Sequence, residues 1–235
     1  MRTVVISGGG TGIGLAVARR FAKAGEHVIL LGRRAEVLNR AVEEIGSGAW
    51  YQIDLSDPAA IETFATQLDR VDVLVNNAGG LDRREFGTGL AATSALWHRV
   101  FELNAMTAIL LTEALLPKVT APGGRLVHIG SIAAHRGNGA YGAAKAALTS
   151  WSAHVGREQG PRGITSNVVS PGFVADTDFF AGPVNDLERK ISETMVKRPG
   201  QPDEIAAAVE YLASPAAGYT TGSVVHVNGG AYVSW

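Results

Sequence analysis

No cysteine occurs in the 235 residues, which excludes disulfide frameworks, thiolate nucleophiles and zinc–sulfur sites. An excess of one charge is also missing. The 21 basic and 22 acidic side chains leave a formal net charge of -1 and are scattered along the chain, without the basic surplus of a nucleic-acid binder. Nothing electrostatic points to DNA, RNA or an anionic membrane as partner. There is no linker, internal repeat or low-complexity tract, so a single α/β domain over residues 1–235 is expected rather than two small ones. The opening run Arg2-Thr3-Val4-Val5-Ile6 is too short for a signal peptide and lacks its small-residue cleavage site, so a cytoplasmic protein is expected. The most apolar stretch, 105–116, is interrupted by Thr107, Thr112 and Glu113 and flanked by Arg99 and Glu102. It falls short of a membrane span and reads as a buried helix.

Apolar residues, by contrast, make up 46% of the chain, and a chain this long buries roughly 70–75% of the surface its unfolded form exposes. A substantial core is therefore feasible. β-Branched runs recur at 3–7, 27–31, 50–53, 71–76, 125–129, 164–169 and 223–227, separated by helical patterns at 12–23, 35–45, 58–68, 93–116, 140–158 and 202–212. Strands alternating with crossover helices predict a Rossmann-like doubly wound three-layer α/β sandwich around a central parallel sheet of about seven strands. Val4-Val5-Ile6 and Val28-Ile29-Leu30-Leu31 are apolar without alternation, as strands covered on both faces should be. Two segments break the pattern, 80–92 and 172–199. Ligands in such sheets bind beyond the carboxyl ends of the strands, so 172–199 is expected to form a substrate lid.

Directly after the first strand comes Ser7-Gly8-Gly9-Gly10-Thr11-Gly12-Ile13-Gly14, leading into a helix. Glycines there permit a tight turn, let the backbone approach a pyrophosphate and leave free N–H groups at a positive helix end. The spacing differs from the commoner G-x-G-x-x-G, and a plain glycine-rich turn is the competing reading. About twenty residues on, where an NAD-binding protein usually carries an acid for the ribose 2′-hydroxyl, the chain has Gly32-Arg33-Arg34. Two cations at a helix start oppose the helix dipole. A ligand 2′-phosphate would remove that conflict, so NADP(H) is favoured over NAD(H) through Arg33, with Arg34 assisting; the alternative is an exposed basic pair with no ligand.

Tyr141 and Lys145 share one face of a predicted helix at i, i+4 spacing. A phenol with an ordinary pKa near 10 needs a cation nearby to act as acid or base around neutrality, and Lys145 is one. With five tyrosines and five lysines in the chain, such a pair is not distinctive alone. Two further residues give it company. Ser131 follows the fifth strand, where its hydroxyl can bond a substrate oxygen while Tyr141 moves the proton; otherwise it is a strand-end turn residue. Asn104 stands inside the long apolar helix, where a buried amide must find partners. A structural bond to a neighbouring strand and a catalytic water explain it equally well.

With these residues in hand, the sequence resembles, nearly end to end, a short-chain dehydrogenase/reductase of the single-domain type, similar to the β-ketoacyl-carrier-protein reductases and related alcohol dehydrogenases. The resemblance implies a dinucleotide loop built on Gly8, Gly10, Thr11, Gly12, Ile13 and Gly14, with Asp54 and Leu55 at the adenine and Asn76-Asn77-Ala78-Gly79 supporting the cofactor. It implies a catalytic tetrad of Asn104, Ser131, Tyr141 and Lys145, with Lys145 also holding the nicotinamide ribose and relaying protons with Asn104. Pro171 and Gly172 match the family's turn beside the nicotinamide, and Val174 and Thr177 would contact the carboxamide and phosphates. The closing stretch from Gly222-Ser223 to Asn228-Gly229-Gly230 matches its last strand and turn. Two departures stand out. Ser131 and Tyr141 are closer than is usual in the family, which contracts the loop 135–140, and Ala175-Asp176 adds a residue ahead of Thr177.

The implied reaction is hydride transfer between a nicotinamide cofactor and a small-molecule ketone or secondary alcohol. A non-catalytic NADP(H)-binding regulator on the same fold is the alternative, although it would have no need of Tyr141 and Lys145 together. Gly80, Leu81, Trp97, His135, Phe173, Phe179 and Phe180 are candidate pocket residues that suggest an apolar or aromatic substrate, though each aromatic is explained equally as core, and His135 equally as an exposed loop residue. The resemblance also implies a homodimer or homotetramer paired through the 93–116 and 140–158 helices. No metal site is expected.

Overall fold

The computed structural model describes residues 1–82, 84–175, 177 and 187–234. Its strands are β1 (Thr3–Ser7), β2 (His27–Gly32), β3 (Ala49–Gln52), β4 (Val73–Asn76), β5 (Arg125–Ile129), β6 (Thr165–Pro171) and β7 (Val224–Val227). They form one parallel sheet in the order β3-β2-β1-β4-β5-β6-β7. The strand order reverses between β1 and β4, the switch point where ligands of doubly wound sheets bind. Among the described residues the helices are α1 (Gly12–Lys23), α2 (Ala35–Ile45), α3 (Pro58–Thr66), α4 (Leu90–Phe101), α5 (Thr107–Leu115), α6 (Ala133–Arg136), α7 (Gly139–Gln159), α8 (Leu187–Ser192) and α9 (Pro202–Leu212).

Alternate side chains of each central strand feed opposite cores, which is why the strands read as unbroken apolar runs. Val4, Ile6, Val28, Leu30, Val73 and Val75 pack with α1, α2 and α9. Val5, Ile29, Leu31 and Leu74 pack with α3, α5 and α7 on the other face. The result is the expected three-layer sandwich. Local chemistry sets several boundaries: the Asp57 carboxylate accepts the Ala59 N–H at 3.0 Å to start α3, and Gly46 ends α2 with φ of 73°.

The long predicted helix over 93–116 differs in detail. It begins at Leu90 and widens into a π-helix over Glu102–Met106 before continuing as α5. The run Leu90–Lys118 is long and apolar enough to cross a membrane by length and composition, so the interruptions read from sequence do not by themselves exclude a span. In this fold α5 drives Leu111 and Leu115 completely into the core under the sheet. The contracted 135–140 segment, expected to be loop, is partly the short helix α6, ended by Gly137 with φ of 68°. Of the expected lid, Val174 bridges to Gly200 and α8 lies over 187–192; Phe179 and Phe180 lie outside the described residues.

Candidate active site

A cavity of about 690 Å³ opens beyond the carboxyl ends of the central strands. Its floor is the β1–α1 turn. Gly8 adopts φ of 64° and Gly12 φ of 52°, conformations that side-chain-bearing residues rarely take. The turn is laced to the end of β4: the Ser7 hydroxyl oxygen accepts the N–H groups of Asn77 and Ala78, both at 3.0 Å, and the Asn77 amide donates to the Ser7 and Gly8 carbonyls at 3.0 Å.

Gly8, Gly10, Thr11, Gly12 and Ile13 line the cavity, whereas Gly14, expected beside them, does not. Gly14 is buried beneath the loop, where an added β-carbon would stand 2.2 Å from the Gly8 carbonyl oxygen. It shapes the loop rather than touching a ligand. At the loop's outer side a β-carbon on Gly10 would meet Val37 at 2.9 Å, and the first turn of α1 carries no acid. This is a cradle of bare backbone at a positive helix end, and it fits the pyrophosphate of a dinucleotide.

One end of the cavity is lined by Arg33, Arg34, Asp54 and Leu55. Arg34 takes the N-cap position of α2 without a side-chain cap. Asp54 is held below the ordinary carboxylate pKa, first by the backbone and hydroxyl bonds from Ser56, then by the charges of Arg33 and Arg99. It therefore stays ionised beside the arginines. Val37 and Leu38 of α2 also line this end; the sequence reading missed them, although they fall on the buried face of an amphipathic helix and could have been found there.

At the other end Ser131, Tyr141, Lys145 and Asn104 converge, with Asn77, Ala78, Gly79, Pro171, Gly172, Val174 and Thr177 around them. Tyr141 is hydrogen-bonded to Ser131, but burial prevails over that bond and pushes the phenol up to about 12. Lys145 is 4% exposed; its ammonium donates to the Ile129 carbonyl at 2.9 Å and lies 6.0 Å from the Tyr141 ring centroid. Burial brings its pKa down to about 8. The phenol is therefore neutral at pH 7 and the lysine still mostly charged. Desolvation of the phenol thus outweighs the Ser131 bond, which alone would favour the phenolate.

Asn104 lies in the π-helical turn, a widening often found at functional sites. Its amide donates to the Gly80 carbonyl at 2.8 Å and the Val100 carbonyl at 3.0 Å, and its oxygen accepts the Gly80 N–H at 2.9 Å. The partners are the loop backbone just after β4 and the preceding turn of α4, not a strand. Gly79 sits between the two polar groups, since its added β-carbon would be 2.8 Å from Asn104 Oδ1 and 3.4 Å from Lys145 Nζ. Thr177, despite the extra residue ahead of it, lies against Gly12, whose added β-carbon would meet it at 3.4 Å. Leu103, Thr107, Ile129 and Gly130 line this end without any prior signal in the sequence.

Of the candidate pocket residues, only Gly80 and Leu81 line the cavity among the described ones. Trp97 instead stacks on Phe101 with ring centroids 6.2 Å apart, and Phe173 lies under the Lys190 ammonium at 5.3 Å. His135 is not among the described residues that line the cavity, and it is not an exposed loop residue either: it is half-buried and stacked on Tyr232.

A family model described as enoyl-(acyl carrier protein) reductase matches residues 8–232. The chain is 34% identical over 242 residues to the 3-oxoacyl-[acyl-carrier-protein] reductase FabG of Escherichia coli, covering 99% of this chain and 98% of that one. A short-chain dehydrogenase/reductase of the glucose/ribitol dehydrogenase type from Brucella melitensis superposes with a TM-score of 0.90 at 31% identity, covering 99% and 97% of the two chains. A blue fluorescent protein from a metagenomic library, solved in complex with NADPH, superposes with a TM-score of 0.89 at 31% identity, covering 99% and 98%.

Proposed function

The chain belongs to the short-chain dehydrogenase/reductase family, and on that premise we propose that it is an NADP(H)-dependent oxidoreductase acting on a ketone or secondary alcohol, with Tyr141 as general acid and base. The observation that carries this reading is the cavity, which has Ser131, Tyr141 and Lys145 at one end and Arg33 and Arg34 at the other. A bound nicotinamide dinucleotide would supply the hydride donor or acceptor. Tyr141, whose phenol is neutral at pH 7, gives its proton to the substrate oxygen as a carbonyl is reduced and takes it back in the reverse direction. Ser131 bonds the same oxygen and orients it. Lys145 stabilises the phenolate left behind, and by the family's pattern it also holds the ribose and passes protons onward with Asn104.

The phosphorylated cofactor is supported by two arginines at the end of β2, the place where an NAD-binding protein usually carries its ribose-binding acid, and by the NADPH seen with a relative of the same fold. Asp54 and Leu55 would meet the adenine, and Val174 and Thr177 the carboxamide and phosphates. The residues around 172–199 would close over the substrate. A homodimer or homotetramer is supported by the apolar side chains left exposed along the 90–106 helical run, Leu90 at 89%, Trp97 at 41% and Met106 at 41%; light scattering tests it, and a monomer contradicts it. The alternative of a non-catalytic NADP(H)-binding regulator would use Lys145 for the ribose but leaves the buried Tyr141 phenol, hydrogen-bonded to Ser131 beside that lysine, without a purpose.

A screen of NADPH oxidation across aliphatic, aromatic and acyl-thioester ketones tests the reading. Consumption of NADPH with one class, slower with NADH, supports it; binding of NADPH without turnover on any class contradicts it in favour of the regulator.

A further inference from the structure

Helix α6 is the segment that joins Ser131 to Tyr141, and it is gripped from three sides. Towards α7 the contact is backbone to backbone: Gly142, next to Tyr141, lies so close that an added β-carbon would be 2.5 Å from the Ala133 carbonyl oxygen. Towards α8 the Arg136 guanidinium pairs with Glu193 at 2.7 Å. Towards the end of the chain the His135 ring stacks on Tyr232, with centroids 4.8 Å apart and planes 14° from parallel. His226 of β7 packs edge-on against both, at 5.1 Å from each. Tyr232 is itself tied back, its carbonyl accepting the Asn228 amide at 3.0 Å.

The consequence reaches the reacting groups through one hydrogen bond. The Ala133 N–H, in the first turn of α6, donates to the Ser131 hydroxyl oxygen at 3.1 Å. With a lone pair engaged from that side, the Ser131 proton is free to point at Tyr141, the bond that favours the phenolate. We infer that His135 and Tyr232 are positioning residues: their stacked rings hold α6 so that Ala133 aims the Ser131 hydroxyl at Tyr141. The carboxyl-terminal segment is thereby part of the active-site scaffold.

The rings work as plates, not as hydrogen-bonding groups. Among the described residues neither His135 Nε2 nor His226 Nδ1, both buried, has a hydrogen-bond partner. A phenylalanine at 135 keeps the stack and removes an unsatisfied nitrogen, whereas an alanine removes the stack. The titratable neighbours of His135 are His226, Tyr232 and the Arg136–Glu193 pair, and the histidine-to-phenylalanine exchange leaves all of them in place.

The kinetic side of this inference rests on the proposed reductase reading, so the decisive readout is one that needs no substrate. The chain is labelled with 13C at the tyrosine ζ carbon, and the Tyr141 resonance is assigned by its loss in Tyr141→Phe. Ser131→Ala defines the displacement caused by losing the serine bond. His135→Ala is expected to move the resonance in the same direction by at least about half as much, His135→Phe to leave it at the wild-type position, and Tyr232→Leu to act like His135→Ala. If His135→Ala does not fold, Tyr232→Leu carries the test. Where a substrate is in hand, kcat should fall about tenfold in His135→Ala with the NADPH Kd unchanged, and recover in His135→Phe. A wild-type Tyr141 resonance in both His135→Ala and Tyr232→Leu, with only the melting temperature lowered, would overturn the inference and leave the cluster as packing. Failure of the reductase reading shows separately, as absence of turnover in the wild-type chain.

Discussion

Lys145 donates to the carbonyl oxygen of Ile129 across 2.9 Å, so the cation of α7 is fastened to the last residue of β5 beside the cavity. Its charge is held at a cost. The folded pKa of about 8 lies below the ordinary lysine value of 10.5, so the unfolded chain binds the extra proton between those two values. Stability from this group is therefore recovered as pH rises from 8 to 10.5, by roughly 3 kcal/mol for a shift of this size. Lys145→Met should be more stable relative to wild type at pH 7 than at pH 10.5, by denaturant titration at both. A gap independent of pH contradicts the buried-cation reading.

His128 of β5 behaves in the opposite pH range. It is fully buried, its ring nitrogens contacting the Asn76 amide at 3.0 Å and the Ser166 hydroxyl at 3.1 Å. Burial, reinforced by the charge of Lys145, lowers its pKa to about 3. As pH falls below 6.5 the unfolded chain gains a proton that the folded chain refuses, and at pH 5 the loss is roughly 2 kcal/mol. His128→Asn should lack this slope, and urea midpoints of both proteins at pH 7 and pH 5 measure it. Parallel losses in the two proteins would remove His128 as the cause.

Much of this architecture was legible in advance. Val4-Val5-Ile6 and Val28–Leu31 carried no alternation, and that single feature placed β1 and β2 in the interior of a sheet covered on both faces. The convergence of Ser131, Tyr141, Lys145 and Asn104 rested on the motif resemblance, since spacing along the chain says nothing of which strand ends meet. Other features had no local signature. The π-helical turn at 102–106 is tied to the Asn104 amide reaching back to Gly80, a contact between residues 24 apart. Helix α6 forms between glycines that read as loop, because Gly142 lets it lie on α7. Gly14 looked like its neighbours in the glycine cluster, yet only packing shows that it supports the turn from beneath.

That distinction among glycines is testable. In Gly14→Ala the new methyl would meet the Gly8 carbonyl oxygen at 2.2 Å and the Asn77 amide nitrogen at 2.6 Å, so a stability loss of about 1–3 kcal/mol is expected together with weakened NADPH binding. Gly200 offers the control: its φ is not positive, and an added β-carbon would meet only the Phe173 carbonyl oxygen at 3.6 Å and a Val174 methyl at 3.7 Å, ordinary contact distances. Gly200→Ala should be neutral or stabilising by up to about 1 kcal/mol. Equal losses in the two variants would contradict the packing argument.

Cofactor choice turns on the cations after β2. Losing a charge-assisted bond to a 2′-phosphate costs about 1.5–3 kcal/mol, so Arg33→Ala should raise the NADPH Kd roughly tenfold to a hundredfold and leave NADH nearly unchanged. Fluorescence titration of both cofactors checks it. Tighter binding of NADH than NADPH by the wild-type chain would reject the assignment.

The central claim is that Tyr141 moves the proton in an NADPH-dependent carbonyl reduction, and it is tested most directly by comparing wild type with Tyr141→Phe on a ketone that the wild type reduces. The account predicts that kcat falls by at least about a hundredfold in the variant, while the NADPH Kd stays within a factor of about two because the cradle at Gly8–Ile13 and the arginines at 33 and 34 are untouched. Wild-type turnover by Tyr141→Phe would contradict it.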